Sequence, residues 1–510
     1  MKKAFVPILT VLCCATPALA ETTGGNTVST VRHWRQANER EIVREFTEFV
    51  RIPNESRDRE NILRNAKHLF GMMEKRGLSP RMLATVDAAP VLYGEWLVPA
   101  ASSTYVFYAH YDGQPIVDTK EWADPPYSAA LRDGSVEGGG KTISQLPAAG
   151  PVDPNWRIFG RSAADDKAGI MTILSAVSAL QASGIQPRAN LKFVFEGEEE
   201  TGSEHLETIL AANKELLRSD GWIICDGPIH SSGRQNVVFG VRGVYGVELT
   251  VHGANRNLHS GQFGNWAPNP AMMLAQLLAT MKDGEGRILI EEFYNSIEPL
   301  GELEKNAIGK IPNTDAEQMQ ALKLGRTDGA GARLAELINL PTLNVSGLAS
   351  GKVGGQIATI IPASATAAFD VRLVKGVTRA GTLGQIKAHI ERQGYYITSA
   401  PPTDEERLQY PHIAQLTVTA QGYEAVRAQM DSAFGRKVVN AVEAAKEDSV
   451  LIPSSGGSLP LDMIERALGV PVILVPSTNA DNNQHAKNEN ARLGNLWDAI
   501  EVYSQLLTME

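Results

Sequence analysis

Along the chain, short apolar runs alternate with helical stripes. Between Val31 and Arg76 one stripe carries Ile42, Phe46 and Val50 up to Pro53, and a second carries Ile62, Ala66, Leu69 and Met73. Both have helical spacing and predict packing helices. Continuous apolar runs of strand length follow at Tyr105 to Ala109, Leu191 to Phe195, Gly221 to Cys225 and Val470 to Val475. Runs this short, rich in β-branched and aromatic residues, predict strands buried on both faces. Helical patterns lie between them, one through Ile170, Ile173, Leu174, Val177 and Leu180, another from Gly435 to Ala445. The alternation predicts an α/β fold with a mixed, mostly parallel sheet flanked by helices.

The texture changes near Val241. Gly243 to Val251 and Ala365 to Leu373 alternate apolar and polar residues, with a helical stripe from Met272 to Met281 between them. Half-exposed antiparallel strands with helices on one face predict a separate α+β domain over 243–400, inserted between two parts of the larger domain at 21–242 and 401–510. The stretch from Leu300 to Leu340 is polar and assigns to no element. Glu121 to Phe159, with Gly138-Gly139-Gly140 and several prolines, predicts a long loop.

Length and composition support more than one core, with 510 residues of which 43% are hydrophobic. Residues 1–20 read as a secretory signal: Lys2 and Lys3 at the start, an apolar stretch from Phe5 to Cys14, and the small-residue site Ala18-Leu19-Ala20. A periplasmic or secreted protein is therefore expected. With that segment removed Cys225 is the one cysteine left, so no disulfide within the chain is expected, and the net charge moves from −10 to −12. That balance argues against nucleic acid or an anionic membrane as partner.

Chemistry enters where the strands end. The run Leu191 to Phe195 breaks into Glu196, Glu198, Glu199 and Glu200, so a buried strand delivers a cluster of carboxylates that repel unless a cation sits among them. The first strand ends in His110-Tyr111-Asp112, the third in Asp226, and the last runs into the loop that holds His485. Asp165-Asp166 precedes a helix. Taken singly, these have bland readings: a satisfied His-x-Asp pair, or an acidic pair capping a helix. Together they lie where an open α/β sheet binds its ligands, in the crevice beyond the carboxyl ends of the strands. Two histidines with several carboxylates suit divalent transition metals, and one shared carboxylate would allow two ions about 3.5–4 Å apart.

In order, His110-Tyr-Asp112, Ser162-Ala-Ala-Asp165-Asp166-Lys167, Glu199-Glu200-Thr-Gly-Ser203, Asp226, Leu258-His259-Ser260-Gly261 and His485-Ala-Lys-Asn-Glu489 resemble the signature of the family 20 metallopeptidases. That family includes carnosinases and other dipeptidases, glutamate carboxypeptidase, aminoacylases and succinyl-diaminopimelate desuccinylase. The texture of Asp112-Gly113-Gln114-Pro115 and of Phe195 to Glu200 resembles its carnosinase-like dipeptidase branch, while the loop from Gly138 to Trp156 departs from familiar members.

The resemblance implies one metal ion held by His110 and Asp226, a second by Glu200 and His485, and Asp165 bridging both, followed by a cis peptide bond. Asp112 would orient His110. Glu199 would act as general base toward a metal-activated water and then return the proton to the leaving amine. His259 would stabilise the oxyanion, commonly from the partner subunit of a homodimer, and Arg372 would hold a substrate carboxylate in a pocket lined by Gly457 and Ser458. Taken alone, His259 reads as a surface turn histidine, and Arg372 has a rival reading as a strand-face partner of Asp370. Zinc is the expected metal, with manganese or cobalt as alternatives. The expected function is a secreted exopeptidase acting on dipeptides or short peptides. An N-acyl-amino-acid hydrolase on the same scaffold and a non-catalytic periplasmic binding protein are the alternatives.

Overall fold

The computed structural model describes residues 24–510. The expected signal segment and its cleavage site lie outside the described residues. Helices span Gly24–Val50 and Arg59–Glu74, the second capped by Asp58, whose carboxylate accepts from the backbone N–H of Asn61. No helix among the described residues is long and apolar enough to cross a membrane.

The larger domain is built on an eight-stranded sheet in the order Arg81–Leu83, Val91–Trp96, Asn190–Glu196, Thr104–His110, Gly221–Ile224, Val472–Leu474, Asn236–Val238, Val450–Ile452. Its central strands, from Asn190–Glu196 to Val472–Leu474, run parallel. The sheet is covered on both faces, which is why these strands read as continuous apolar runs. Tyr105, Phe107 and Ala109 enter one core with the helices Gly24–Val50, Lys167–Ala182 and Leu493–Thr508. Val106 and Tyr108 enter the other, with the helices Leu206–Ala212 and Leu461–Leu468. Because the central strands are parallel, His110, Glu196 and the residues after Ile224 and Leu474 all emerge at one sheet edge.

The inserted domain carries a five-stranded sheet in the order Thr342–Ala349, Ser364–Leu373, Gly243–His252, Ile413–Tyr423, Tyr396–Thr398. The first four are antiparallel neighbours. Ser364–Leu373 alternates buried and half-buried positions along its whole length, as its sequence pattern predicts. Its buried face packs on the helices Pro270–Met281 and Arg379–Arg392. The sheet corrects the expected boundary at residue 400. Ile413–Tyr423 pairs along Gly243–His252 and contributes Ala414 to this domain's core, so the chain rejoins the larger domain where Val426–Arg427 pairs with Gly240–Val241.

Two further segments differ from expectation. The stretch read as one long loop contains Ala130–Arg132 and Arg157–Phe159, which join Asn490–Arg492 in a three-stranded sheet. The polar stretch 300–340 folds into the helices Glu302–Lys310, Asp315–Leu322 and Leu334–Leu337, and Ile308 and Ile311 pack on Val450 of the larger sheet.

Candidate metal centre

Each site residue owes its place to a strand end or to the turn that follows it. His110 is the last residue of its strand and fully buried. Asp165 sits in the turn before the helix Lys167–Ala182, and the peptide bond to Asp166 is cis, as the resemblance implies. Asp166 caps that helix, accepting from the N–H of Gly169 and also from that of His110, which ties turn and strand together. A Cβ on Gly169 would stand 2.1 Å from the carbonyl oxygen of Cys225. Only glycine lets the helix start approach the strand end that carries Asp226.

Asp165 lies between the two histidines. Its Oδ1 is 3.0 Å from His110 Nε2 and its Oδ2 3.0 Å from His485 Nε2. His485 Nε2 is also 3.1 Å from Glu200 Oε2, and His110 Nε2 is 3.9 Å from Asp226 Oδ2. Two clusters result, His110 with Asp165 and Asp226, and Asp165 with Glu200 and His485, the ligand atoms in each within 4.8 Å of one another. Both hold only imidazole nitrogen and carboxylate oxygen, the donor set that divalent transition metals accept, and they share one carboxylate. The residues therefore fit a pair of divalent ions. Glu199 belongs to neither cluster, and its Oε2 stands 4.0 Å from His110 Nε2.

The electrostatics reflect so many acids in one buried place. Burial, and then the charge of Asp165, push the Asp226 carboxyl up to about 7. Burial likewise raises Glu199 well above the ordinary carboxylate range. Burial would raise Asp165 too, but hydrogen bonds from His110 and His485 outweigh it and hold that carboxyl below its usual value. His485, bonded to Asp165 and Glu200, is pushed up to about 10. Burial would lower the His110 imidazole, but its hydrogen bonds to Asp112 and Asp165 outweigh it, so the acids bias both histidines toward the charged form.

A surrounding layer fixes these groups. Asp112 is 3.2 Å from His110 Nδ1 and accepts from the N–H groups of Glu199 and Glu200, so one buried carboxylate orients both the imidazole and the glutamate turn. Ser56 and Gln114 support it, the first donating to Asp112 and the second to Glu200. Glu196 and Glu198 stand apart from the clusters. Glu196 accepts from the Tyr108 hydroxyl, while Glu198 accepts from the Ala89 N–H and lies 2.9 Å from His205 Nδ1.

Glu489, to which the sequence attached no role, is fully buried and accepts from Arg161 Nη1 and from the N–H groups of Ser162, Ala164 and Asp165. Its signal was weak: one acid four positions after His485, inside a polar loop.

A cavity of about 530 Å³ opens on this centre, lined by Asp165, Glu199, Asp226 and His485 and, further along, by Arg372, Gly457 and Ser458. Arg372 Nε and Nη2 bond to Asp370 and Nη1 to Ser458 Oγ, so the ion pair along the strand and the place at the cavity are both present. The structure does not bring His259 to the acids. It is exposed, accepts from the Gly261 N–H of its own turn through Nδ1, and is absent from the cavity lining. The stretch 138–156 contributes nothing to that lining either.

The fold and centre are those of a metal-dependent peptide hydrolase. The chain belongs to peptidase family M20/M25/M40, whose model matches residues 106–509. It is 25% identical over 480 residues to the Cys-Gly metallodipeptidase dug1 of Schizosaccharomyces pombe, covering 91% of this chain and 94% of that one. It is 24% identical over 481 residues to the Beta-Ala-His dipeptidase of Homo sapiens, covering 90% and 88%. Among solved structures it superposes with a TM-score of 0.74 on the M20 family metallo-carboxypeptidase Sso-CP2 from Sulfolobus solfataricus, at 27% identity, covering 92% of this chain and 99% of that one.

Proposed function

We propose that this chain is a dipeptidase that cleaves the amide bond of short peptides with two divalent ions held by His110, Asp165, Glu200, Asp226 and His485. The observation that carries the reading is the position of Asp165, one oxygen toward each histidine, with Glu199 beside the clusters and outside both. When bound, the ions supply Lewis acidity toward the water and the peptide carbonyl, with zinc the expected metal and manganese or cobalt as substitutes.

The chain's own residues do the rest. Glu199 takes a proton from the attacking water and returns it to the departing amine, a task suited to a carboxyl whose pKa burial has raised. Asp112 keeps His110 in one orientation and holds the turn that presents Glu199. Arg372 pairs with the substrate carboxylate, beside Gly457 and Ser458. His259 donates to the developing oxyanion from the partner subunit of a homodimer, since in its own chain it stands exposed outside the cavity. Export to the periplasm or beyond belongs to the same reading, and the N-terminal sequence of the mature protein checks it.

The test is a panel of dipeptides, tripeptides and N-acyl amino acids incubated with the metal-loaded protein, with and without chelator. Dipeptide cleavage that chelator abolishes is expected. Preference for N-acyl amino acids would make the chain an amidohydrolase, and no chelator-sensitive cleavage of any substrate would overturn the enzyme assignment.

A further inference from the structure

We infer that the cavity wall formed by the segment 300–340 is the pocket for the C-terminal side chain of the substrate, and that it selects a bulky aliphatic residue there. The inference rests on the peptidase reading above and adds a substrate class to it. The cavity that opens on Asp165 and Glu199 is lined by Ile308, Ile311 and Ile338 of this segment and by Val238 and Leu474 from the large sheet. Ile308 and Ile311 are more than nine-tenths buried and packed on Val450, so this wall is fixed rather than swinging.

The turn 454–458 joins the apolar wall to the carboxylate anchor. Ser458 Oγ accepts from Arg372 Nη1. Two residues earlier, a Cβ on Gly456 would stand 3.5 Å from Ile338 Cδ1, ordinary contact distance, so this isoleucine lies directly against the turn that carries Ser458. Two residues of chain reach at most about 7 Å. In an α-amino acid, carboxylate and side chain leave the same carbon. A carboxylate on Arg372 therefore leaves the side chain of that residue within reach of the wall that Ile338 lines.

Two charged residues of the segment also line the cavity, and each helps hold it together, although the buried Nε of Arg333 has no partner. Arg333 Nη2 donates to the Ile311 carbonyl, and Asp315 accepts from the Leu334 N–H. Asn236 and Asn339 line it as well, each more than nine-tenths buried with an unpartnered carboxamide oxygen. They define the competing outcome, a pocket built for a side chain that donates hydrogen bonds.

The experiment compares kcat/KM of the metal-loaded protein for Ala-Leu, Ala-Gly, Ala-Gln and Leu-Gly, and the inhibition constants of free leucine and glycine. Ala-Leu is expected to exceed Ala-Gly by about 10- to 100-fold, the range that an added side chain in an apolar pocket gives. Leucine should inhibit more tightly than glycine, and Leu-Gly should show no such gain. Ile338→Ala, which opens the pocket, and Ile338→Trp, which fills it, should both lower the ratio of Ala-Leu to Ala-Gly. Ala-Gln matching Ala-Leu, an advantage that follows the N-terminal residue, or a ratio unmoved by both variants would overturn the pocket assignment while leaving the peptidase reading intact. Failure to cleave any of the peptides would remove both.

Discussion

At the strand ends of the larger domain the proposed ligands meet one another, His110, Asp165 and Asp226 buried, Glu200 half-buried and His485 exposed but bonded to both acids beside it, whereas on the inserted domain His259 is exposed and bonded within its own turn. Asp165 meets both histidines, Asp112 holds the glutamate turn, and Glu489 holds the loop that carries Asp165. In the function proposed above, the contrast separates metal ligands that one chain brings together from an oxyanion donor that a partner subunit would deliver. Preorganised groups act without reorganising at the moment of reaction, while a delivered group adds a conformational or assembly step. Arg372 lies between these cases, on the inserted domain yet already bonded to Ser458 of the larger one.

The sharpest way to break the contrast is to remove the shared ligand. Asp165→Ala takes one member from each cluster, so activity should fall to background and elemental analysis should find less than one tightly held ion per chain. Full metal content in that variant would show that Asp165 is not the bridge. Glu199→Gln should behave differently, keeping its metal while kcat falls by about 10²–10⁴-fold. Glu199 works as a base only when ionised. Wild-type kcat/KM should therefore decline as pH falls through its pKa, which burial holds above the ordinary carboxylate value, and the variant should lack that dependence.

His259→Ala tests the delivered half, with a loss of about 10²–10³-fold expected for one oxyanion donor and no change in metal content. Mixing His259→Ala subunits with Glu199→Gln subunits should restore activity that neither has alone, because one site in each hybrid dimer would be whole. Absence of rescue despite proven hybrids would place the donor elsewhere.

The same contrast explains what the sequence could tell. Strands such as Tyr105 to Ala109 are buried on both faces, so their apolar runs mark them and the histidine or acid at each end follows. Alternation likewise revealed Gly243–His252 and Ser364–Leu373. Ile413–Tyr423 alternates too, but its place is set by pairing with a strand far back in the chain, which no local pattern encodes. The short strands Ala130–Arg132 and Arg157–Phe159 are three residues each, too few to show a period. Within the acid cluster, charge alone did not divide the roles: Glu196 and Glu200 look alike until one meets the Tyr108 hydroxyl and the other His485.

Glu489 was the least legible of the working residues, because a buried glutamate inside a polar loop resembles a solvated one, and it supports the last and smallest prediction. Its two oxygens accept four donors, one from Arg161 and three from the backbone around Asp165, and Ser162 among them has a left-handed φ of 61° that a non-glycine residue adopts at a cost. Glu489→Gln keeps the shape, but its amide nitrogen would turn N–H groups toward donors and leave Arg161 without its carboxylate. The loop should then hold Asp165 less firmly, and metal affinity should weaken by about 10–100-fold, as when other partners behind metal ligands are lost. Thermal unfolding of the metal-free variant measures the structural cost separately. A variant that unfolds earlier yet binds metal as tightly as the wild type would reduce Glu489 to a folding residue. Weaker binding, with residual activity restored at high metal concentration, would show that it positions the bridge.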